Sequence, residues 1–272
     1  MSNFATRAIT GVIFVLVIIG AIVSSPYAFI GLFTLIAALM LIEFYQLMNK
    51  HQGVQIQLPV HVTGGIILFV SMALYSMGVV NAQILLLYLA YLIFMWVAEL
   101  YGKRPEPIRN WAYILLGQVY LALPFALLNL IGFAQTTYEP FLLLGLFVSI
   151  WLNDTGAYLV GSRIGKRRLF ERISPKKSWE GFWGGIGFAM LGGYLFSLFS
   201  ADLNTWQWIG FGAVVALFST WGDLTESLLK RTIGVKDSGR MLPGHGGMLD
   251  RFDSVLLACP AAVIYLEIIR LF

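Results

Sequence analysis

Charge is what this chain has least of. Asp, Glu, Lys and Arg make up 12% of its 272 residues, where a soluble domain carries roughly 25%. With 58% hydrophobic residues and a mean hydropathy of +0.79, that deficit excludes an ordinary soluble globule. It points to a chain whose main solvent is lipid. Cysteine is nearly absent too: Cys259 alone cannot form an internal disulfide, and within an apolar run it reads as a small buried hydrophobe. There is no low-complexity linker, internal repeat or composition break to mark a domain boundary, so a single membrane domain over 1–272 is expected. The net charge of +4 would suggest nucleic acid for a soluble protein. Here the placement of the basic residues matters more than their sum, and no nucleic-acid partner is expected.

What is present in quantity is apolar sequence in lengths that suit a bilayer, each crossing taking about 20 residues. Such segments fall near 9–24, 27–48, 59–79, 81–98, 111–134, 140–161, 181–200, 207–229 and 252–271. The expected fold class is therefore all-α, a polytopic membrane helix bundle of about nine transmembrane helices. Arg7 ahead of the first apolar run gives it the look of a signal peptide, but no soluble domain follows, so an uncleaved first helix is expected. The connections alternate. Those after the first, third, fifth and seventh segments hold no Lys or Arg, whereas Lys50, Lys103, Arg104, Arg109, the run Arg163 to Lys177 and the run Lys230 to Arg251 fall in the others. Basic residues are retained on the cytoplasmic side. This predicts a cytoplasmic N-terminus and a multi-pass protein of a bacterial-type inner membrane, with its polar site facing the cytoplasm.

Chemistry is unevenly distributed. Residues 1–140 read as plain helix and loop, while 141–272 hold nearly all the notable polar groups. Asp223, Glu226, Ser227 and Lys230 fall at i, i+3, i+4 and i+7, on one face of a helix. A carboxylate near lipid costs several kcal/mol unless it meets a partner, a metal or water, so this stripe is either a site or a salt-bridge cluster between helices. After it comes Lys236-Asp237-Ser238-Gly239-Arg240-Met241-Leu242-Pro243-Gly244-His245-Gly246-Gly247-Met248-Leu249-Asp250-Arg251-Phe252-Asp253. Its glycines allow close backbone approach to a ligand, and successive free N–H groups can cradle an anion. Asp250 and Asp253, at i and i+3, offer the hard oxygens that suit Mg²⁺; the plainer alternative is a turn with an Asp helix cap. His245 alone is a weak signal.

Asp154, in Asn153-Asp154-Thr155-Gly156-Ala157-Tyr158, lies within an apolar segment and needs a partner there. Beyond it, Lys166 to Arg168 suit topology and anionic headgroups. Ser178 is placed to cap the next helix, with Lys176 and Lys177 adding charge where a helix N-terminus would meet an anion. Glu43 and Glu99, near cytoplasmic segment ends, read as snorkelling or loop-paired carboxylates. Together these groups describe a metal-dependent enzyme acting on a phosphate-bearing lipid, in which positioning and charge neutralisation supply most of the catalysis.

The run Ser227 to Asp253 resembles the signature of the CDP-diacylglycerol synthase family. The matching residues are Ser227, Leu229, Lys230, Arg231, Lys236, Asp237, Gly239, Pro243, His245, Gly246, Gly247, Met248, Asp250, Arg251, Phe252 and Asp253. Asp154 to Tyr158 and Ser174 to Gly181 are also similar to segments of that family. The resemblance covers the C-terminal half in detail and the N-terminal half only in length and hydropathy. It implies CTP and phosphatidic acid as substrates, CDP-diacylglycerol and pyrophosphate as products, Mg²⁺ with a monovalent cation such as K⁺ at a shared centre, and a homodimer. By the same resemblance Asp223 and Asp250 are the expected metal ligands, with Asp253 and Asp237 next. Lys230, Ser227 and Arg231 would lie along the substrate phosphates, and Lys176, Lys177 and Ser178 would contact nucleotide or phosphatidate. Lys236, His245, Gly246, Gly247, Arg251 and Asp154 complete the expected substrate-binding set.

Two other classes compete. Acids and basic loops also mark ion-coupled transporters, which would spread acids across the bilayer depth rather than gather them near one side. Another lipid phosphotransferase or kinase is the second. A CDP-alcohol phosphotransferase places Gly directly after such an acid pair, where this chain has Ser254.

Overall fold

The computed structural model describes residues 3–133, 137–239, 241 and 246–270. Among them are nine helices: α1 (Asn3–Ser24), α2 (Pro26–Gln52), α3 (Leu58–Ser76), α4 (Ala82–Tyr101), α5 (Pro107–Gly132), α6 (Pro140–Ile164), α7 (Trp179–Phe196), α8 (Thr205–Thr232) and α9 (Leu249–Arg270). The fold is that of an all-α polytopic membrane protein. Six of these helices, α2 to α6 and α9, are long and apolar enough to cross a bilayer. The helices track the apolar runs closely because local chemistry punctuates them. Ser25 accepts the Ala28 N–H at 3.1 Å just ahead of Pro26, and Gly53 closes α2 in the left-handed conformation at φ 65°, the pairing of cap, N-terminal proline and C-terminal glycine that helix ends favour. Asn204 and Gln207 exchange bonds in a capping box at the start of α8. Within α5 a π turn at Gln118–Ala122 comes just ahead of Pro124, whose missing N–H a wider turn accommodates.

The sequence led us to expect an irregular basic loop between α6 and α7, and here the structure differs. Arg168–Phe170 (β1) and Ser174–Ser178 (β2) pair antiparallel, Arg168 opposite Ser178 and Phe170 opposite Ser174. The Trp179 N–H donates to the Arg167 carbonyl at 2.9 Å, so the hairpin runs straight into α7.

The chain forms two compact units. The first comprises Met1–Tyr138 with Asp237–Arg251, the second Glu139–Lys236 with Phe252–Phe272. In the first unit, Phe29, Phe33, Phe69 and Phe125 form a buried aromatic cluster. Buried Gln118 ties helices together, donating to Tyr45 Oη at 2.9 Å and to the His61 carbonyl at 2.8 Å; in lipid such internal satisfaction of polar groups is obligatory. In the second unit α6, α7 and α8 pack backbone to backbone. A Cβ added at Gly193 would stand 2.2 Å from the Trp208 carbonyl oxygen, and one at Gly212 2.4 Å from that of Ala189. Small residues permit this approach, which drives helix association where water offers no hydrophobic force.

Candidate active site

The second unit holds a cavity of about 540 Å³. Asn153, Asp154, Ala157, Tyr158, Gly161 and Ser162 line it from α6, the hairpin adds Arg168, Leu169, Lys176, Lys177 and Ser178, and Gly181, Phe182 and Thr220 complete it. Its walls combine cations, one acid and apolar surface, so it suits an anionic headgroup attached to something hydrophobic. Ser178 is buried and accepts the Gly181 N–H at 3.1 Å, capping α7 as its sequence context led us to expect. Asn153 is buried as well and donates to Ser219 Oγ at 2.9 Å and Thr220 Oγ1 at 3.1 Å, fixing α6 against α8 beside Asp154.

The acids gather on α8 and α9. Asp223 is ion-paired with Lys177 and accepts from Ser227 Oγ at 3.4 Å. One turn on, Glu226 is fully buried and paired with Lys230, itself only 8% exposed. The expected polar stripe is therefore present, but it divides into two ion pairs. Lys230, expected along substrate phosphate, holds Glu226. Asp253 stands within electrostatic reach of Asp223, Glu226 and Asp154, and Asp154 feels both Lys177 and Asp223. The reason for this proximity is Gly222. Its missing side chain lets α8 lie on the backbone of α9, where an added Cβ would stand 2.6 Å from the Asp253 carbonyl oxygen and 3.1 Å from Ser254 Cα.

No group of three or more His, Cys, Asp and Glu side chains stands at metal-holding distance among the described residues. Mg²⁺ does not require one, since it usually takes one or two carboxylates plus phosphate and water. Asp154, Asp223, Glu226 and Asp253, with Lys177 and Lys230 paired to two of them, offer the hard oxygens that fit such an ion.

Asp250, the other expected ligand, belongs to the first unit. Its Oδ2 accepts the backbone N–H groups of Ser238 at 2.9 Å and Gly247 at 2.8 Å. Asp250 therefore fastens the backbone ahead of α9 and does not cap the helix, and any cation on Asp250 would share its carboxylate with two amides. Gly246 takes φ 84°, a conformation glycine adopts freely. Lys236, Asp237 and Arg251 are exposed, as is Arg231, which donates to the Val235 carbonyl at 3.2 Å. His245 and Pro243 lie outside the described residues.

Two residues of consequence had no place in the site expected from the sequence. Arg168 lines the cavity from β1, where its place in a basic run had suggested topology and attraction to anionic headgroups. Glu43 meets the Gly-rich loop of the first unit: it is buried, and its Oε2 accepts the Leu249 N–H at 2.9 Å. Of the two readings open for it, loop pairing holds, and it holds for Glu99 too, which pairs with Arg104 and accepts from Asn110 at 2.6 Å.

Residues 5–269 match the model of the cytidylyltransferase family. The chain belongs to the cytidylyltransferase family. Among its relatives is a phosphatidate cytidylyltransferase of Staphylococcus aureus (strain COL), 44% identical over 158 residues, which is 57% of this chain and 58% of the relative. A protein of the same name from Staphylococcus epidermidis is 41% identical over 157 residues, 57% and 58% of the two chains. Another, from Haemophilus influenzae, is 44% identical over 133 residues, 46% of each. These alignments span about half the length of the curated relatives. Family membership accounts for the resemblance carried by Ser227 to Asp253, since the match runs through it.

Proposed function

We propose that this chain is a phosphatidate cytidylyltransferase, a nucleotidyltransferase that converts CTP and phosphatidic acid to CDP-diacylglycerol and pyrophosphate in phospholipid biosynthesis. The observation that carries the reading is the cavity of the second unit. Arg168, Lys176 and Lys177 meet apolar Leu169 and Phe182 there, and Lys177 leads directly to the carboxylate of Asp223. The family match and the names of its relatives support the same reaction.

In the reaction a phosphatidate phosphate oxygen attacks the α-phosphorus of CTP. An O–P bond forms, the bond from that phosphorus to the bridging oxygen breaks, and the electron pair leaves with pyrophosphate. The attacking phosphate is already largely ionised near neutral pH, so no strong base is required. The difficulty is to bring two polyanions together. Arg168, Lys176 and Lys177 neutralise one phosphate at the cavity, and the α7 N-terminus, capped by Ser178, presents its positive end to the same anion. Asp223 holds Lys177 in place until phosphate competes for the ammonium. Asp223 and Asp253 would hold Mg²⁺, which when bound supplies charge neutralisation at the transferring phosphoryl group. Lys230 keeps the buried Glu226 compensated within this acid cluster. We further propose a homodimer in a bacterial inner membrane, with the N-terminus and the site on the cytoplasmic side; the one-sided distribution of Lys and Arg supports that orientation.

The test is an assay of purified protein with Mg²⁺, phosphatidic acid and either CTP or ATP. Pyrophosphate and a CDP-lipid should form with CTP and require the metal. ADP formed from ATP, with no CDP-lipid from CTP, would replace this reading with that of a lipid kinase.

A further inference from the structure

The Gly-rich loop ahead of α9 is anchored by a residue from the other end of the chain. Glu43 sits in α2 and is 5% exposed. Its Oε2 accepts the N–H of Leu249, the first residue of α9, at 2.9 Å, and the hydroxyl of Ser238 at 3.3 Å. Ser238 is where the loop begins and Leu249 is where it ends, so one carboxylate oxygen holds both ends. Asp250 repeats the clasp one residue further on, through the N–H groups of Ser238 and Gly247. The backbone at Gly239 and Gly247 lies directly against Glu43. A Cβ at Gly239 would stand 2.4 Å from Glu43 Oε1, and one at Gly247 2.6 Å from Oε2 and 2.1 Å from Ser238 Oγ. The two glycines are thus needed here for contact with a side chain of this protein.

A carboxylate buried in an apolar helix is costly unless hydrogen-bonded. Its donors are a hydroxyl and the first amide of a helix, where the macrodipole favours negative charge. The helix so capped carries Asp250 in its first turn and Asp253 one turn later. We propose that Glu43 is a positioning residue: by tying Ser238 to Leu249 it fixes where α9 begins, so that the first turn of α9, with Asp250, is presented in one orientation. The consequence for turnover rests on the function proposed above; the anchoring does not.

The experiment compares wild type with Glu43→Ala, Glu43→Gln and Ser238→Ala by amide hydrogen exchange on the purified protein, together with CDP-lipid formation. Glu43→Ala should speed exchange at Ser238 and Leu249 about tenfold or more while amides within α3 and α5 keep their protection. Its kcat should fall about 10- to 100-fold, the usual cost of removing a group that orients a catalytic one, with the KM for CTP nearly unchanged. Glu43→Gln keeps an acceptor and should recover part of both. Ser238→Ala, which spares the Leu249 bond, should loosen Ser238 more than Leu249. Wild-type exchange at both amides in Glu43→Ala, or a uniform rise throughout α2 to α5, would overturn the proposal. If wild type makes no CDP-lipid, the functional reading fails alone, and the exchange comparison still decides the role of Glu43.

Discussion

In the proposed reaction Asp223 would matter to chemistry and little to stability. Its ion pair with Lys177 leaves the two side chains 31% and 28% exposed, and pairs open to this degree contribute at most about 1 kcal/mol. Asp223→Asn should therefore yield a folded, membrane-inserted protein with nearly unchanged thermal midpoint. Its rate of cytidylyl transfer should fall at least about a hundredfold, the scale on which preorganised charge acts in a closed site. Near wild-type turnover in the purified variant would remove Asp223 from the site. This residue was legible in the sequence because an acid at the end of an apolar helix needs an explanation wherever it occurs. Glu43 was not. A lone Glu near a helix end is satisfied equally well by water, by its own loop or by a partner 206 positions away, and nothing in the local sequence distinguishes these. Lys230 lies between the two cases: the spacing placed it on the right face, but only the fold shows that Glu226 is its partner.

At the scale of the element, helices were easier to read than the contacts between them. Apolar runs bounded by Ser25-Pro26, Gly53 and Asn204 locate helix ends to within a few residues, because cap chemistry is local. The hairpin of β1 and β2 was hidden. Arg-Leu-Phe and Ser-Pro-Lys-Lys-Ser have little apolar alternation, and a proline lowers any expectation of a strand; the pairing is supported instead by packing of Phe170 on Trp221, ring centroids 6.3 Å apart. Backbone approach through glycine was equally silent in the sequence. Gly222→Ala places a methyl against the α9 backbone, where neither neighbour is a movable side-chain tip. Overpacking of this kind costs about 1–3 kcal/mol, and displacement of α8 from α9 should separate Asp223 from Asp253. The variant should lose both thermal stability and most transfer activity. Gly187→Ala is the control: apart from its own turn of helix, no atom lies within 4 Å of the added carbon, and alanine is the better helix former by roughly 1 kcal/mol. Equal behaviour of the two variants would show that the helix contact at Gly222 is unimportant.

For the whole molecule the governing solvent is lipid, and the remaining question is how many helices cross it. α1, α7 and α8 are helices, yet they fall outside the six that are long and apolar enough. The reasons differ. α1 is apolar from Ile9 to Ser24 among the residues whose side chains are described. α7 is diluted by glycine, which its packing against α6 and α8 requires. α8 carries Asp223, Glu226, Lys230 and Arg231 in its last three turns, where the proposed chemistry needs them. A helix that builds a site within a bundle need not look apolar, because its neighbours shield it. If all nine cross, the Lys- and Arg-containing connections share one side, and the connection between α7 and α8 lies opposite. Cysteine accessibility tests this in a Cys259→Ala background, which removes the single native thiol, itself buried in α9. Single cysteines replacing Glu171 in the hairpin and Asp202 between α7 and α8, both exposed, should react with a membrane-impermeant maleimide from opposite faces of sealed vesicles. Labelling of both from one face would mean that α7 does not span. The nine-helix arrangement would then fail, although each of its helices is present.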